Sequence, residues 1–375
     1  MALPGGRGGV LPRGGLRGLN RALLARQGLL ERLDAPLVEA IEAIGPLQAQ
    51  AWAAPPAALA ARLEGFEREH LHRALAAGDL VIGTLMRGTI HIVSAHEHPA
   101  YAAVAAERED WRRTDAERTE ESEQLTADLR AYASEPRSGE EVAAFAEEWV
   151  AEHPNALAQE EVKRQRELKW RPLLRSCAFV RVPADGNWGA KAPASLLAAP
   201  PPKPRGALQT AIRRHLRSFG PATAEDVASF LGRKTPPVRA AMDKLELERL
   251  DDLYDLPDAP RPDPDTPAPP RLLAAFDSAL LAYVSKRRQR IVPDEHRDAV
   301  YERRNLQVKS TFTVDGFVAG TWSIEVKRRV ATVTLKPLEK LTKTARKQLA
   351  EEAERVARVL QPDAKGYEVS ESSGG

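Results

Sequence analysis

The chain has 375 residues, a formal net charge of +2 and 29% charged residues. This length allows two to four compact modules, each with its own apolar core. The single cysteine, Cys177, excludes an internal disulfide and a metal site built from several cysteines, and no apolar run reaches the roughly 18 residues that a membrane helix needs.

Charges are distributed unevenly along the chain. Acidic residues dominate positions 107–161, and basic residues gather in these clusters: 163–175, 203–217, 286–304 and 327–329. Such patches on a near-neutral protein suit a nucleic-acid partner, although solvated surfaces give the same pattern. Residues 1–18 are rich in Gly and Arg and lack the apolar core of a signal peptide, which predicts a flexible arm on a cytoplasmic protein.

Residues 19–135 are predicted to form a winged helix-turn-helix unit with a charged connector over about 107–124. Apolar residues recur at helical spacing in several stretches between 19 and 77. Residues 80–93 then alternate between apolar and polar side chains, as the strands of a wing do. The polar residues predicted to share one face of that wing are Arg87, Thr89 and His91.

Residues 136–200 and 205–257 predict a second and a third unit with the same order of helices and wing. In the second unit, Phe179–Val182 is predicted to be a strand that turns just beyond and returns at Trp188. In the third unit, Thr235 is followed by a proline and opens the predicted recognition helix. The order of elements repeats, although no fixed sequence period is visible.

The last third of the chain begins with a Pro-rich acidic segment, 258–270, which is predicted to be a stiff linker or a long surface loop. Within 271–366, Asp315–Gly316 joins two β-prone runs and is the strongest hairpin signal in the chain. A closing helix over about 341–360 follows, and residues 367–375 are predicted to be a disordered tail. The predicted fold class is mainly α with β wings (α+β), with three tandem winged helix-turn-helix units and a C-terminal hairpin and helix region.

The chemistry is predicted to centre on Gln48 and Gln50, which are separated by one small residue and flanked by Gly45–Pro46 and Pro55–Pro56. These flanks favour an extended or irregular segment, in which residues two apart share a side. Neutral amides can position a water but cannot take its proton at neutral pH, so the substrate must carry a good leaving group. The alternative is that both amides merely satisfy backbone groups in a loop.

No cofactor and no metal are predicted. The sequence lacks a Gly-rich phosphate-binding loop after a strand. Two pairs of nearby histidines have no adjacent acidic ligand pattern: His70 with His72, and His96 with His98. Cys177 precedes an apolar strand and is predicted to be a small buried core residue.

Eight segments together carry a resemblance to a known family: 19–21, 26–30, 47–50, 86–91, 181–183, 188–189, 275–277 and 314–322. In this order and spacing they resemble the bacterial AlkZ/YcaQ type of winged-helix DNA glycosylase. The resemblance extends from about Leu19 to Leu360.

The resemblance implies a C-shaped protein whose winged-helix units and hairpin line a concave channel for double-stranded DNA. It also implies excision of bulky N7-alkylated guanine, including the guanines of interstrand cross-links made by genotoxic natural products. The catalytic signature of the family is Gln, an apolar residue and Gln, which is matched by Gln48 and Gln50. One departure lies at 286–288, where three basic residues stand without the expected alternation of acid and base.

Elementary chemistry agrees with that implication. Alkylation at N7 makes guanine cationic and weakens its glycosidic bond, so the leaving group needs no proton. The enzyme need only stabilise a developing oxocarbenium sugar and hold a water about 3 Å from the anomeric carbon. Two amide carbonyls can do both, and no covalent lysine intermediate is implied.

Phosphate contacts are predicted for four basic residues: Arg87, Lys327, Arg328 and Arg329. Ordinary solvated charge is the alternative for the three that form the turn. Thr89 and His91 are added because they share the predicted polar face with Arg87, although His91 could instead be an interior histidine.

Two other functional classes fit the predicted fold. A winged-helix transcription regulator would prefer particular undamaged sequences and would be expected to form a two-fold dimer. A damage-binding protein would bind alkylated DNA without releasing a base. The sequence leaves open the preferred adduct, cross-link unhooking, and a role in self-resistance or in general repair, and a monomer is the simpler expectation.

Overall fold

The computed structural model describes residues 15–107, 120–189, 191–302, 304 and 306–372. Parts of three predicted segments lie outside these ranges: residues 1–14 of the arm, 108–119 of the connector and 373–375 of the tail. Within the described ranges, every helix is too short or too polar to cross a membrane. The mixture of helices and strands confirms the predicted α+β class.

The chain alternates α-helices with strands and short 3-10 segments. The helices are α1 Gly15–Arg26, α2 Leu37–Ile44, α3 Ala54–Arg62, α4 Arg68–Ala77, α5 His98–Ala106, α6 Glu120–Tyr132, α7 Gly139–Glu152, α8 Gln159–Glu167, α9 Arg171–Leu174, α10 Ala207–Phe219, α11 Ala224–Leu231, α12 Thr235–Met242, α13 Ser278–Leu281, α14 Arg297–Val300 and α15 Lys343–Leu360. The strands are β1 Leu47–Gln48, β2 Leu80–Thr84, β3 Ile90–Ser94, β4 Phe179–Val182, β5 Ser195–Ala198, β6 Glu248–Leu250, β7 Leu253–Asp255, β8 Arg271–Leu273, β9 Tyr301–Glu302, β10 Gln307–Val308, β11 Thr311–Val314, β12 Phe317–Lys327, β13 Val330–Pro337 and β14 Gly366–Glu371. The 3-10 turns span Met86–Gly88, Ser285–Arg290 and Asp294–His296.

One five-stranded sheet, in the order β1-β3-β2-β4-β5, joins the first two predicted units. Because Gly83 of β2 pairs with Val180 of β4, the two predicted wings are parts of one sheet. The return strand of the second wing is β5, which begins at Ser195. The predicted return at Trp188 is wrong, because that side chain packs against Trp52 and its backbone does not pair with β4.

The third predicted unit contains α10, α11 and α12, followed by the antiparallel hairpin of β6 and β7. The Thr223 hydroxyl caps α11 by accepting a hydrogen bond from the Asp226 amide at 3.1 Å. Helix α12 begins at Thr235, as predicted. Three helices therefore precede a two-stranded hairpin in this segment.

The second five-stranded sheet has the order β14-β13-β12-β11-β8. Asp315 and Gly316 form the turn between β11 and β12 with φ angles of 49° and 85°, as the hairpin signal predicts. Strand β14 runs parallel to β13, so the prediction of a disordered tail is wrong for residues 367–371. The long edge of β13 offers backbone donors and acceptors, which β14 satisfies.

The Pro-rich segment lies along α1 as a long surface loop. The carbonyl oxygen of Pro264 accepts a hydrogen bond from Arg17 at 2.8 Å, and that of Thr266 accepts one from Arg21 at 2.7 Å. The predicted flexible arm is wrong for its last residues, because α1 already begins at Gly15 and these arginines fix its first turns.

Buried ion pairs connect distant parts of the chain. Arg26 of α1 pairs with Asp255 of β7 at 2.7 Å, and Arg62 of α3 pairs with Asp277, before α13, also at 2.7 Å. Each guanidinium binds both oxygens of its carboxylate, and all four side chains are at most 1% exposed. Bidentate pairs of this kind fix geometry as well as adding stability. They hold the first unit against the third unit and the C-terminal region.

Candidate active site

The segment that carries Gln48 and Gln50 is extended, as predicted. Leu47 and Gln48 form β1, which pairs antiparallel with Ile92 and His91 of β3. Strand β1 lies at the edge of the first sheet. An edge strand has one side without a neighbouring strand, but both residues of β1 are buried, so Gln50, just beyond the strand, is the exposed glutamine.

Contacts from other elements fix both ends of this segment. Gly45 ends α2 with a φ angle of 88°, a value that other residues rarely adopt, and a Cβ there would meet a neighbouring serine hydroxyl at 2.9 Å. The carbonyl oxygen of Pro46 accepts a hydrogen bond from Ser278 Oγ at 2.7 Å. Beyond the glutamines, Trp52 Nε1 donates to the carbonyl oxygen of Gly189 at 2.8 Å. Tertiary contacts therefore hold a strand of only two residues.

The two glutamines differ in exposure. Gln48 is 7% exposed, and its Oε1 accepts a hydrogen bond from Arg87 Nη2 at 3.4 Å. Gln50 is exposed, and its Oε1 accepts one from the Ile90 amide at 3.3 Å. Both bonds are long, and a carbonyl oxygen has two lone pairs, so each amide retains the capacity to accept a hydrogen bond from a water. The loop alternative describes Gln50 in part, since this side chain does satisfy a backbone amide.

Arg87 connects the glutamine pair to the third predicted unit. It stands in the 3-10 turn between β2 and β3 with a φ angle of 56°. Its Nη1 donates to the carbonyl oxygen of Phe230 in α11 at 2.9 Å, and its guanidinium carbon lies 4.8 Å from the centre of the Phe230 ring. The side chain is half-buried and reaches Gln48 with its other terminal nitrogen. Arg87 thus braces Gln48 from the side of α11.

His91 lies beneath the surface, so the predicted direct contact with DNA is wrong for its ring. It is 0% exposed, and its Nδ1 lies 2.9 Å from the carbonyl oxygen of Thr89. Burial, helped by the charge of Arg87, lowers the pKa of His91 to about 3, so the ring is neutral at pH 7 and Nδ1–H donates to that carbonyl.

The shared polar face predicted for residues 80–93 is wrong because these residues are not one continuous alternating strand. The turn at Met86–Gly88 interrupts the alternation. Thr89, at the end of that turn, is half-buried, and its hydroxyl donates to the carbonyl oxygen of Met86 at 3.1 Å.

Sequence reasoning missed an aromatic group beside the glutamines. The Trp52 ring stacks on His72 of α4 with centroids 6.4 Å apart and planes 8° apart, and it lies 6.4 Å from the Trp188 ring. Burial lowers the pKa of His72, which favours its neutral form. The signal in the sequence was a tryptophan two residues after Gln50.

The predicted basic turn forms the exposed tip of the β12–β13 hairpin. Arg328 and Arg329 have φ angles of 50° and 65°, the geometry of a tight two-residue turn. Lys327 pairs with Glu325 at 2.8 Å, and Arg329 reaches the carbonyl oxygen of Asp363 at 3.4 Å. These residues belong to the C-terminal sheet, whereas the glutamines belong to the first sheet.

The described residues offer little metal chemistry. Among them, no group of three or more His, Cys, Asp and Glu side chains is placed to hold a metal ion. Cys177 is buried, as predicted for a core residue. The arrangement around the glutamines therefore consists of neutral amides, one guanidinium and neutral imidazoles, which suits the positioning of a water.

Comparison with known proteins identifies the family. The profile of the family described as DNA glycosylase AlkZ-like matches residues 41–359. An interstrand DNA cross-link repair glycosylase from Streptomyces sahachiroi is 25% identical over 366 residues, which cover 89% of this chain and 94% of that protein. The solved structure of the Streptomyces sahachiroi DNA glycosylase AlkZ has the same fold, with a TM-score of 0.74 at 21% identity over 95% of this chain and 99% of that one. The resemblance inferred from the motifs is confirmed, and the chain belongs to the AlkZ-like family of DNA glycosylases.

Proposed function

We propose that this protein is a monofunctional DNA glycosylase that hydrolyses the N-glycosidic bond of bulky N7-alkylated guanine. The observation that carries the proposal is the position of Gln48 in the edge strand and of the exposed Gln50 just beyond it, with acceptor capacity left on both amide oxygens. The family is one of enzymes, which favours catalysis over the transcription regulator and the non-catalytic damage-binding protein that the sequence alone left open.

The two glutamines have different roles in this proposal. Arg87 holds Gln48 in one orientation, so Gln48 aligns the attacking water with little reorganisation. Gln50 is exposed, and its carbonyl dipole faces the developing positive charge on the sugar. The water oxygen bonds to the anomeric carbon while the bond to the base breaks. The electron pair of that bond neutralises the cationic base, and the water's proton passes to solvent.

The DNA in this proposal lies in a concave channel of a C-shaped protein built from three winged-helix units and the C-terminal hairpin. The exposed tip residues Lys327, Arg328 and Arg329 bind phosphate groups, and Arg87 and Thr89 form the floor of the channel next to the glutamines. His91 supports that floor from beneath. An open channel suits a bulky adduct, because such a base is difficult to flip into a closed pocket.

The wider role follows from the substrate. The relative from Streptomyces sahachiroi is described as repairing interstrand cross-links, and we propose that this chain also unhooks them. It would act as a monomer in the cytoplasm, at the nucleoid, either in general DNA repair or in self-resistance to a genotoxic natural product. Its partner is double-stranded DNA that carries alkylated guanine, and the reaction needs no cofactor or metal.

The test is single-turnover release of N7-alkylguanine from a defined duplex. We expect wild-type protein to release the base and the Gln48→Ala, Gln50→Ala double variant to lose release while still folding and binding DNA. Gln209→Ala, at an exposed position of α10, is the matched control and should behave as wild type. Full release by the double variant would remove the glutamines from the mechanism. Absence of release from small and bulky adducts, with DNA binding intact, would remove the enzyme assignment for these substrates.

A further inference from the structure

A cavity of about 340 Å³ lies between α4, β2, β4 and the segment that follows β4. Its walls are mostly apolar and include Leu75, Ile82, Val182 and the half-buried Trp188. Among the described residues that line it, Arg181 carries the only charge. A volume of this size, with apolar walls and one polar anchor, is typical of a small-molecule site.

The guanidinium of Arg181 is incompletely satisfied. Its Nε is buried and has no hydrogen-bond partner in the described part of the chain. Burial, together with the charge of Arg175, lowers the pKa of Arg181, which means that its surroundings disfavour the positive charge. A bound anion would supply the missing acceptor and offset that charge, and a carboxylate fits a guanidinium in a bidentate manner.

Neither Gln48 nor Gln50 lines the cavity. Gln48 pairs with His91, His91 pairs with Gly83, and Gly83 pairs with Val180, so these four residues form one row across the sheet. Side chains in one row point to the same face, and the next residue along a strand points to the opposite face. Arg181 follows Val180 and therefore points to the face opposite Gln48, whereas Val180 and Val182, which also line the cavity, lie on the Gln48 side.

We propose that this cavity binds a small aromatic acid taken from solution. Its planar apolar part lies between the walls against Trp188, and its carboxylate binds Arg181. Apolar walls do not suit a DNA phosphate, which favours a free ligand. The site goes beyond base excision and does not depend on it.

The ligand site touches the segment that follows the glutamines. Trp188 lines the cavity and packs against Trp52, two residues after Gln50. The same segment is fixed by the hydrogen bond from Trp52 to Gly189. A bound ligand is therefore expected to change the fluorescence of these tryptophans, which gives a direct readout of occupancy.

The test compares two probes of similar shape. Anilinonaphthalene sulfonate combines an aromatic frame with an anion, and phenylnaphthylamine has a similar frame without the charge. We expect Arg181→Met to weaken binding of the sulfonate at least about tenfold, which corresponds to about 1.4 kcal/mol, and to change binding of the neutral probe less than about twofold. Arg175→Met is the matched control, because this exposed arginine lies close to Arg181 but does not line the cavity. Its loss should leave the dissociation constants of both probes within about twofold of the wild-type values.

A second variant keeps Arg181 and fills the cavity. Val182→Phe should abolish binding of both probes in this cavity, and circular dichroism and thermal unfolding check that the variant still folds. Unchanged sulfonate binding in both Arg181→Met and Val182→Phe would overturn the proposal, as would equal losses in the two arginine variants.

A third measurement identifies the source of the ligand. Base release from the alkylated duplex is followed with and without saturating sulfonate probe, and we expect equal rates. Inhibition in wild type that disappears in Arg181→Met would place a substituent of the DNA adduct in the cavity, and it would overturn the assignment to a free ligand. Because probe binding is measured without DNA, its outcome is independent of whether the protein excises a base.

Discussion

Replacing Asp277 by Asn tests whether a buried charge pair holds the glutamine segment in place. Asp277 accepts hydrogen bonds from Arg62 at 2.9 and 2.7 Å, and neither side chain is more than 1% exposed. The next residue, Ser278, donates the hydrogen bond that fixes Pro46, two residues before Gln48. The substitution preserves shape and removes the negative charge.

The expected loss is large because Arg62 would become a buried cation without a counter-charge. Gln27 Oε1 and the carbonyl oxygen of Ala58 would remain as its acceptors, but both are neutral. Breaking one side of a buried ion pair typically destabilises a protein by about 3–5 kcal/mol. We therefore expect the free energy of unfolding of Asp277→Asn to fall by about that amount. An Arg62→Leu, Asp277→Leu double variant should lose less than the sum of the two single substitutions.

The assay is urea unfolding followed by tryptophan fluorescence and circular dichroism, with Glu354→Gln as the control. Glu354 pairs with Arg358 on the surface of α15, where both side chains are about half exposed, and its loss should change stability by less than about 1 kcal/mol. The pair does not hold the fold if the free energy of unfolding of Asp277→Asn lies within about 1 kcal/mol of the wild-type value. The same conclusion follows if the double variant shows no coupling between the two substitutions.

Three further changes have defined outcomes. Gly316→Ala should destabilise the protein by at least about 1–3 kcal/mol in the same unfolding assay, since φ is 85° and a Cβ would lie 2.5 Å from Asn20 Oδ1; full stability would contradict this. Burial lowers the pKa of His215 from 6.5 to about 4. Below about pH 6.5 the unfolded chain therefore takes up a proton at this site that the folded chain does not, and the free energy of unfolding decreases as the pH is lowered. Between pH 7.5 and pH 5, His215→Phe should therefore lose about 2 kcal/mol less stability than wild type, and an equal loss would refute the assignment. Arg87→Met should slow single-turnover base release about tenfold or more while DNA binding persists, because Gln48 loses its brace, and an unchanged rate would leave Arg87 without a role at this site.

The glutamine segment could be predicted because its signals are local. Gly45 ends a helix, prolines stand on both sides of Gln48 and Gln50, and an extended chain follows from those residues alone. The hairpin at Asp315–Gly316 was predictable for the same reason, since the turn chemistry lies in two adjacent residues. Local signals therefore located the glutamine segment and one hairpin of the C-terminal sheet.

The neighbourhood of the glutamines could not be predicted, because it depends on contacts between distant segments. Gly83 pairs with Val180, and no periodicity in either strand indicates that partner. The burial of His91 depends on the turn at Met86–Gly88, which looks like a continued alternation in the sequence. Strand β14 is polar, and it becomes a strand because β13 offers it a partner.

The same contacts explain how a two-residue edge strand can keep a defined position. Alone, β1 has too few backbone hydrogen bonds to define the position of a side chain. Ser278 fixes the segment before the glutamines, and Trp52 fixes it after them. Arg87 then orients Gln48 from inside the protein. A buried Gln48 beside an exposed Gln50 gives the two amides different surroundings, so under the proposed mechanism single substitutions at the two positions should affect water alignment and sugar stabilisation separately.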